Sequence, residues 1–370
     1  MRVGVVGGGQ LARMMGEVAH QVNVRLSVLA ASAEDAALDT CDVVLVGEAR
    51  DAGALARLAR GVDVVTFDHE LIDLEQIRQL ETLIAVRPDA RALAFAVDKA
   101  HQRSALAAAG LAVPRHLVLD SPDDPRLGAF LAEVGPGAVV KVARGGYDGR
   151  GVIFCDDDAA VRDALGALGA RAVIEQRLTL RAELSQVLVR DVRGAVALYP
   201  LVETIQRDGM CVETRFPAHG DHGAAAAALA TRIAELCGVV GVLAVELFVT
   251  DDGLLVNELA LRPHNTAHWT IEGAATSQFA NHLLAVSGQA LGPTDATCSA
   301  AVMVNVVGAE RPGSRDAAQA VTGAHVHDYA KTWRPGRKLG HVTVLGPDAH
   351  SAHVTAWKSA RAFGTSAREA

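Results

Sequence analysis

Residues 141–152 read KVARGGYDGRGV. Four glycines, Gly145, Gly146, Gly149 and Gly151, fall within seven residues, between short apolar runs at 138–140 and 152–154. That glycine density disfavours helix and the flanks suit strands, so the stretch predicts strand, loop, strand. Backbone N–H groups without side chains around them can approach an anion closely, as in phosphate-cradling loops. Lys141 adds a point charge ahead of the loop, and Asp148 and Arg150 place both signs of charge inside it. A Walker A loop would instead lead into a helix through Gly-Lys-Ser/Thr. On its own the segment fits a phosphate cradle and a solvated hairpin tip equally well.

Composition narrows the classes. Half of the 370 residues are apolar and 21% are charged, which predicts a globular chain. The length leaves room for about two to three domains. A net charge of −8 argues against a general nucleic-acid binder, so any anionic ligand must be met by local cations. The five cysteines are scattered and never in Cys-x-x-Cys spacing, which predicts reduced thiols in a cytoplasmic protein and no zinc site. The start, MRVGVVGGGQ, lacks the pattern of a secretory signal, and no apolar run of about 18 residues could span a bilayer.

The first 95 residues alternate between strand patterns (3–6, 25–29, 42–46, 62–67) and helix patterns (10–21, 51–58, 73–83). That alternation predicts a parallel sheet wound in βαβ units. Gly7-Gly8-Gly9-Gln10-Leu11-Ala12 matches the dinucleotide fingerprint, but the second strand ends without the carboxylate that would hold a ribose. A helix N-terminus suited to a single phosphate remains. Thr66–Glu70, TFDHE, ends another strand at the ligand-binding edge of such sheets, making Glu70 either a substrate contact or a solvated loop residue. Beyond it come predicted helices at 98–109, 125–134, 159–167 and 224–237. Predicted strands lie at 116–119, 172–175, 183–190, 195–201 and 212–216, and a hairpin at 241–260, an α+β pattern. From 300 onward short strands at 301–307 and 341–344 surround a basic turn.

The hairpin carries the sharpest inference. A three-residue loop, Asp251-Asp252-Gly253, fits a type I turn closed by a left-handed glycine. Thr250 then faces Leu254, and counting back sets Glu246 opposite Glu258 on one face. Two carboxylates meeting between apolar strands need a cation, or one must hold a proton. Mg²⁺, held by one or two carboxylates plus substrate phosphates, is the natural partner. A one-residue slip in the turn would part them and leave solvent-facing glutamates. Just beyond, Arg262, His264, Asn265 and His268 cluster around Pro263. They read as polar substrate contacts or as a self-satisfied loop. In KTWRPGRKLGH, Lys331, Arg334, Arg337 and Lys338 converge on the Pro335-Gly336 bend, which suits a phosphate monoester or a basic surface turn.

These motifs together resemble the ATP-grasp superfamily and, within it, the N5-carboxyaminoimidazole ribonucleotide synthases of purine biosynthesis. GGGQLARM (7–14), TFDHE (66–70), KVARGGYDGRG (141–151), IEQRL (174–178) with AELS (182–185), VELF (245–248), VNELALRPHNTAHWTIEGA (256–274) and YAKTWRPGRKLGH (329–341) carry the resemblance over nearly the whole chain. GGYDGRG followed by RPGRKLGH is the most specific part. The resemblance implies an α/β and α+β ATP-grasp fold. Its parts would be a Rossmann-like domain at 1–95, an ATP-grasp domain at 96–292 with a lid at about 115–178, and a β-rich C-terminal domain at 298–365. It implies ATP- and Mg²⁺- (or Mn²⁺-) dependent carboxylation of aminoimidazole ribonucleotide by bicarbonate through carboxyphosphate, in a cytoplasmic homodimer with no nucleic-acid or membrane partner.

Carried over by motif, Lys99 and Lys141 would meet the ATP phosphates, with Gly145, Gly146, Tyr147, Asp148, Gly149, Arg150 and Gly151 closing over them. Glu175, Gln176, Arg177 and Leu178 would hold the adenine and Glu183 the ribose. Glu246 and Glu258 would carry the metal, with Asn257 and Glu258 also at the nucleotide. Asp148, Arg150 and Lys331 would act on the carboxylate acceptor, and Tyr147, Gln10, Glu70, His264, Asn265, Lys331, Arg337 and Lys338 would bind the ribonucleotide. Two departures stand out. Leu261 replaces a usual proline, which is expected to loosen the strand end, and Leu71-Ile72-Asp73 follows TFDHE where His-Val-Pro is more usual, which changes the surroundings of Glu70. A different ATP-grasp ligase would share lid and hairpin but not RPGRKLGH. A Rossmann oxidoreductase would need the missing ribose carboxylate. A non-catalytic nucleotide sensor would be expected to lose Glu246, Glu258 or Lys141, and all are present.

Overall fold

In the computed structural model, which describes residues 1–146 and 151–369, the N-terminal sheet is parallel throughout. Its strands are ordered Val43–Val46, Arg25–Ala30, Arg2–Val6, Val64–Phe67 and Ala85–Val86. The middle strands are near-continuous apolar runs because helices cover both faces. Gln10–Ala19 buries Leu11, Met14 and Met15 on one side, while Ala52–Gly61 and Leu74–Glu81 bury Leu55, Leu58 and Ile77 on the other. The helix predicted over 10–21 stops early. The chain tightens into a 3-10 turn at His20–Val22, and Asn23 then takes a left-handed conformation with φ 56°.

The helix predicted at 98–109 is the second of a pair, Ala90–Val97 and Lys99–Ala108. Asp98 parts them: its φ of −128° breaks the first, and its carboxylate accepts from the His101 N–H to cap the second. Ala90–Val97, ARALAFAV, carries one charge, the exposed Arg91, and buries Ala90, Ala92, Leu93 and Phe95. A four-stranded antiparallel sheet follows, ordered His116–Leu119, Ala172–Gln176, Ala138–Val142 and Val152–Cys155. Arg126–Val134 and Asp158–Leu168 pack on it through Leu127, Leu131, Val161 and Leu165. The glycine-rich segment joins two of its neighbouring strands, as its flanks predict.

The largest sheet runs Gly253–Ala260, Gly241–Thr250, Ala182–Arg190, Val202–Arg207, Met210–Phe216, Ala300–Val307, Lys338–Gly346, Ala324–Asp328. The strand predicted over 195–201 is shorter, Val196–Leu198, ending ahead of Pro200, and a strand absent from the prediction, Val202–Arg207, follows. The strands beyond residue 300 continue this sheet through Met210–Phe216, and helix Ala349–Phe363 covers one of their faces with Trp357 and Phe363. Where the hairpin end, the glycine loop and the carboxyl edge of the N-terminal sheet meet lies a cleft of about 820 Å³. Among the described residues no helix is long and apolar enough to cross a membrane.

Candidate active site

Glu246 does stand opposite Glu258, but not by the route the turn count predicts. The connection is one residue shorter: Gly253, at φ +118°, pairs with Thr250. A register shift between Glu246 and Leu247 then restores the pairing, with Leu247 facing Val256 and Asn257 as the extra residue. The bulge gives Asn257 three roles. Its backbone carbonyl accepts from Arg103 Nη2, its Oδ1 accepts from Lys141 Nζ at 3.2 Å, and its Nδ2 donates to Glu246 Oε2 at 3.4 Å.

A continuous polar run leads to the cleft, which its members Glu246, Glu258 and His264 line. Arg103 Nε donates to Glu175 at 2.5 Å, and Lys141 Nζ lies 2.8 Å from the other oxygen of Glu175. Lys141 leads through Asn257 to Glu246, and His264 Nε2 lies 3.7 Å from Glu246. Lys99 Nζ is paired with Glu258. Burial, reinforced by Glu258 and Glu183, pushes the Glu246 carboxyl up to about 7. Burial acts the same way on Glu258, but the charge and hydrogen bond of Lys99 override it and hold that carboxyl below its ordinary value. Burial raises Glu183 to about 6. Two adjoining oxygen donors, one of them unwilling to ionise alone, form a set that suits a hard divalent cation. They are a pair, so the remaining ligands would be phosphate oxygens and water.

Glu175 is 3% exposed, and both its oxygens are engaged by cations. Its carboxylate therefore anchors Lys141. Arg177 turns outward to Asp156 at 2.5 Å, away from the run, and Gln176 N–H donates to Arg115 O. Lys99 is placed through its backbone as well, its N–H donating to Ala143 O at 2.8 Å, while Arg144 Nε pairs with Asp98. The entry to the glycine loop is thus tied to the start of helix Lys99–Ala108. Gly145 and Gly146 line the cleft, and Gly145 and Gly151 have φ +83° and +76°, conformations that favour glycine. Tyr147, Asp148, Gly149 and Arg150 lie outside the described residues.

On the opposite side, His264, Asn265 and Lys338 line the cleft with Gln10 and Glu70. Asn265 Nδ2 is buried with no partner among the described residues. Lys331 bonds to Gln10 Oε1 and lies 5.4 Å from the Tyr329 ring centre. Arg337 instead turns back on Thr332 O at 3.1 Å, apart from the others. Glu70 is held by Leu261 N–H at 3.0 Å and Arg262 at 3.2 Å. The expectation that Leu261 loosens this strand end is therefore corrected: a proline has no N–H, and the leucine uses its own to fasten Glu70. The helix N-terminus after Gly7-Gly8-Gly9 also departs from expectation. Asp68 accepts from Gly9 N–H at 2.6 Å and Ala12 N–H at 3.0 Å, so a carboxylate of the chain sits where a phosphate was expected.

Residues 1–97 match the ribonucleotide synthetase preATP-grasp domain, 104–279 the ATP-grasp domain, and 301–355 the phosphoribosylaminoimidazole carboxylase C-terminal domain. The N5-carboxyaminoimidazole ribonucleotide synthase of Mycobacterium bovis is 47% identical over 364 residues, which cover 94% of this chain and 84% of that one. The chain belongs to the N5-carboxyaminoimidazole ribonucleotide synthase family. Among solved structures, the synthetase of this family from Thermus thermophilus superposes with a TM-score of 0.90 at 36% identity, covering 99% of this chain and all of that one. A synthase from Aspergillus clavatus, solved with ADP and 5-aminoimidazole ribonucleotide, gives a TM-score of 0.89 at 28% identity, covering 98% of each chain.

Against this family background, two residues of the site carry no motif signal in the sequence. Arg103 lies on the buried face of helix Lys99–Ala108, beside Ala100 and Leu106, and reads there as an ordinary helix-surface charge. The clue to its burial is the spacing, since Ala100, Arg103 and Leu106 recur every three residues on one face. Gln278 opens helix Gln278–Val286 and is fully buried against the loop that the synthase motif HNTAH forms.

Proposed function

We propose that this chain uses ATP to join bicarbonate to the 5-amino group of aminoimidazole ribonucleotide, releasing ADP and phosphate. The observation that carries this reading is one cleft joining two half-sites. The carboxylate pair Glu246 and Glu258 lines the nucleotide side, with Lys99 paired to Glu258 and Lys141 reaching Glu246 through Asn257, and the polar segment at His264 and Asn265 with Lys338 lines the other. Lys99 and Lys141 meet the ATP phosphates, Glu183 the ribose, and Glu175 with the backbone around Gln176, Arg177 and Leu178 the adenine. A divalent cation, Mg²⁺ or Mn²⁺, held by Glu246 and Glu258 would neutralise charge on the nucleotide phosphates. Gln10, Lys331 and Lys338, with Arg337 after the turn reorients, face the ribonucleotide, along with Glu70, His264 and Asn265.

A bicarbonate oxygen attacks the γ-phosphorus in line, and the bond to ADP breaks. Carboxyphosphate then splits its C–O bond to CO₂ and phosphate, the amine nitrogen bonds to the CO₂ carbon, and one N–H proton leaves. Asp148 is assigned to accept that proton and Arg150 to hold anionic oxygens, on the strength of the motif they share with the family. Carboxyphosphate is short-lived in water, so the glycine loop Gly145–Gly146 to Gly151 serves as a lid that excludes it. All five cysteines are unpaired, which supports a cytoplasmic enzyme. The resemblance supports a homodimer.

The reading predicts that ¹³C-bicarbonate, ATP, Mg²⁺ and the ribonucleotide together give a ¹³C carbamate resonance. That signal should vanish when any one component is withheld. A carbamate absent from the complete mixture, with ATP still consumed, would overturn the assignment.

A further inference from the structure

His264 stands beside Glu246 and lines the cleft, and its backbone is fixed from a separate helix. Gln278 Oε1 accepts from the His264 N–H at 2.8 Å, and Gln278 Nε2 donates to the His264 carbonyl at 2.7 Å. The second Nε2 hydrogen faces Nδ1 of His268 at 3.0 Å. Gln278 is held in turn: its N–H donates to Thr270 Oγ1 at 3.0 Å, and that hydroxyl donates to Ala267 O at 2.6 Å. Ser277 caps the helix by accepting from Ala280 N–H. One amide therefore clasps both ends of the 264–268 turn.

The orientation of that amide is forced. A backbone N–H can meet only an acceptor, so Oε1 faces His264 and Nε2 faces His268. An Nε2 donor requires a lone pair on Nδ1 of His268, which puts the ring proton on Nε2. Burial keeps the ring neutral, its pKa well below the usual histidine value, with the charges of His264 and His327 acting in the same direction. His268 lines the cleft while 1% exposed, and its Nε2 has no partner among the described residues.

We propose that Gln278 is a positioning residue for the ribonucleotide side of the cleft, fixing the backbone of His264 and setting His268 as an Nε2–H donor at the cleft floor. The proposal rests on the functional reading above for the identity of that substrate. Gln278 touches neither substrate nor reacting atoms and acts through the two histidines.

Gln278→Glu keeps the size and the acceptor for His264 N–H but removes both donors. It should lower kcat/KM for aminoimidazole ribonucleotide about 10- to 100-fold through misplacement of the contact groups, and leave KM for ATP within about twofold. In ¹⁵N-histidine spectra, His268 should change from the Nε2–H to the Nδ1–H tautomer. Equal losses toward both substrates would indicate a merely structural role and overturn the proposal, as would an unchanged kcat/KM. If the variant does not fold, the wild-type spectrum decides: an Nε2–H tautomer at His268 is expected, and Nδ1–H overturns the clasp. Wild-type ADP release that ignored the ribonucleotide would sink the functional reading instead, while the tautomer would still report on Gln278.

Discussion

Glu246→Gln is expected to lower kcat/KM about 10³-fold while making the metal-free protein more stable. The activity loss follows from removing one of two carboxylates assigned to the cation, a loss of several kcal/mol of transition-state stabilisation. The stability gain follows from the raised carboxyl. In the unfolded chain Glu246 ionises near its ordinary 4.5, and in the fold only near about 7. Between those values the folded state holds the extra proton, so wild-type stability falls as pH rises through this window and levels off above it. Glutamine removes that penalty, about 3 kcal/mol at pH 8 in the absence of metal. Thermal melts at pH 5 and pH 8 without divalent ions check the sign: the variant's advantage should appear at pH 8 and shrink at pH 5. An advantage confined to pH 5, or a variant with full activity, would contradict the assignment.

Arg103→Met should destabilise the fold by about 3–5 kcal/mol, the usual result of removing one partner of a buried ion group. Arg103 and Glu175 have side chains 2% and 4% exposed, and Lys141 is 11% exposed. Without the guanidinium, Glu175 keeps only Lys141, and the carbonyl of the bulged Asn257 loses its donor. The loss should reach function as well. Lys141 would be drawn toward Glu175 by an unbalanced carboxylate, raising KM for ATP more than KM for the ribonucleotide. Urea denaturation with matched steady-state kinetics measures both. A change under about 1 kcal/mol would show that the group is solvated and not a buried cluster.

The glycine-rich strand–loop–strand and the parallel N-terminal sheet were legible because each rests on local chemistry: glycine density, and apolar runs alternating with amphipathic helices. The pairing of Glu246 with Glu258 was legible for a subtler reason. Alternation put both residues near the same level of the hairpin, but a turn one residue shorter and a bulge at Asn257 offset each other. A bulge is set by what claims the extra residue, here Arg103 and Lys141 from distant elements, and no local pattern announces that. Asp68 shows the same limit. Its place at the first helix N-terminus depends on which strands adjoin, so a site suited to phosphate by sequence is filled by the chain itself. Glu175 is likewise met by two buried cations that only the fold brings to it. Gln278 falls in a helix, QFANHLLAV, whose polar residues Gln278, Asn281 and His282 are buried with the apolar ones, so polarity along it marks no solvent face.

ADP release by the full-length chain, followed with ATP and Mg²⁺ present and with bicarbonate and aminoimidazole ribonucleotide added singly and together, tests the central claim most directly. The account predicts slow release with bicarbonate alone and release stimulated strongly only when both are present, since the ribonucleotide completes the half of the cleft bearing His264, Asn265 and Lys338. Release at the same rate with and without the ribonucleotide would contradict it.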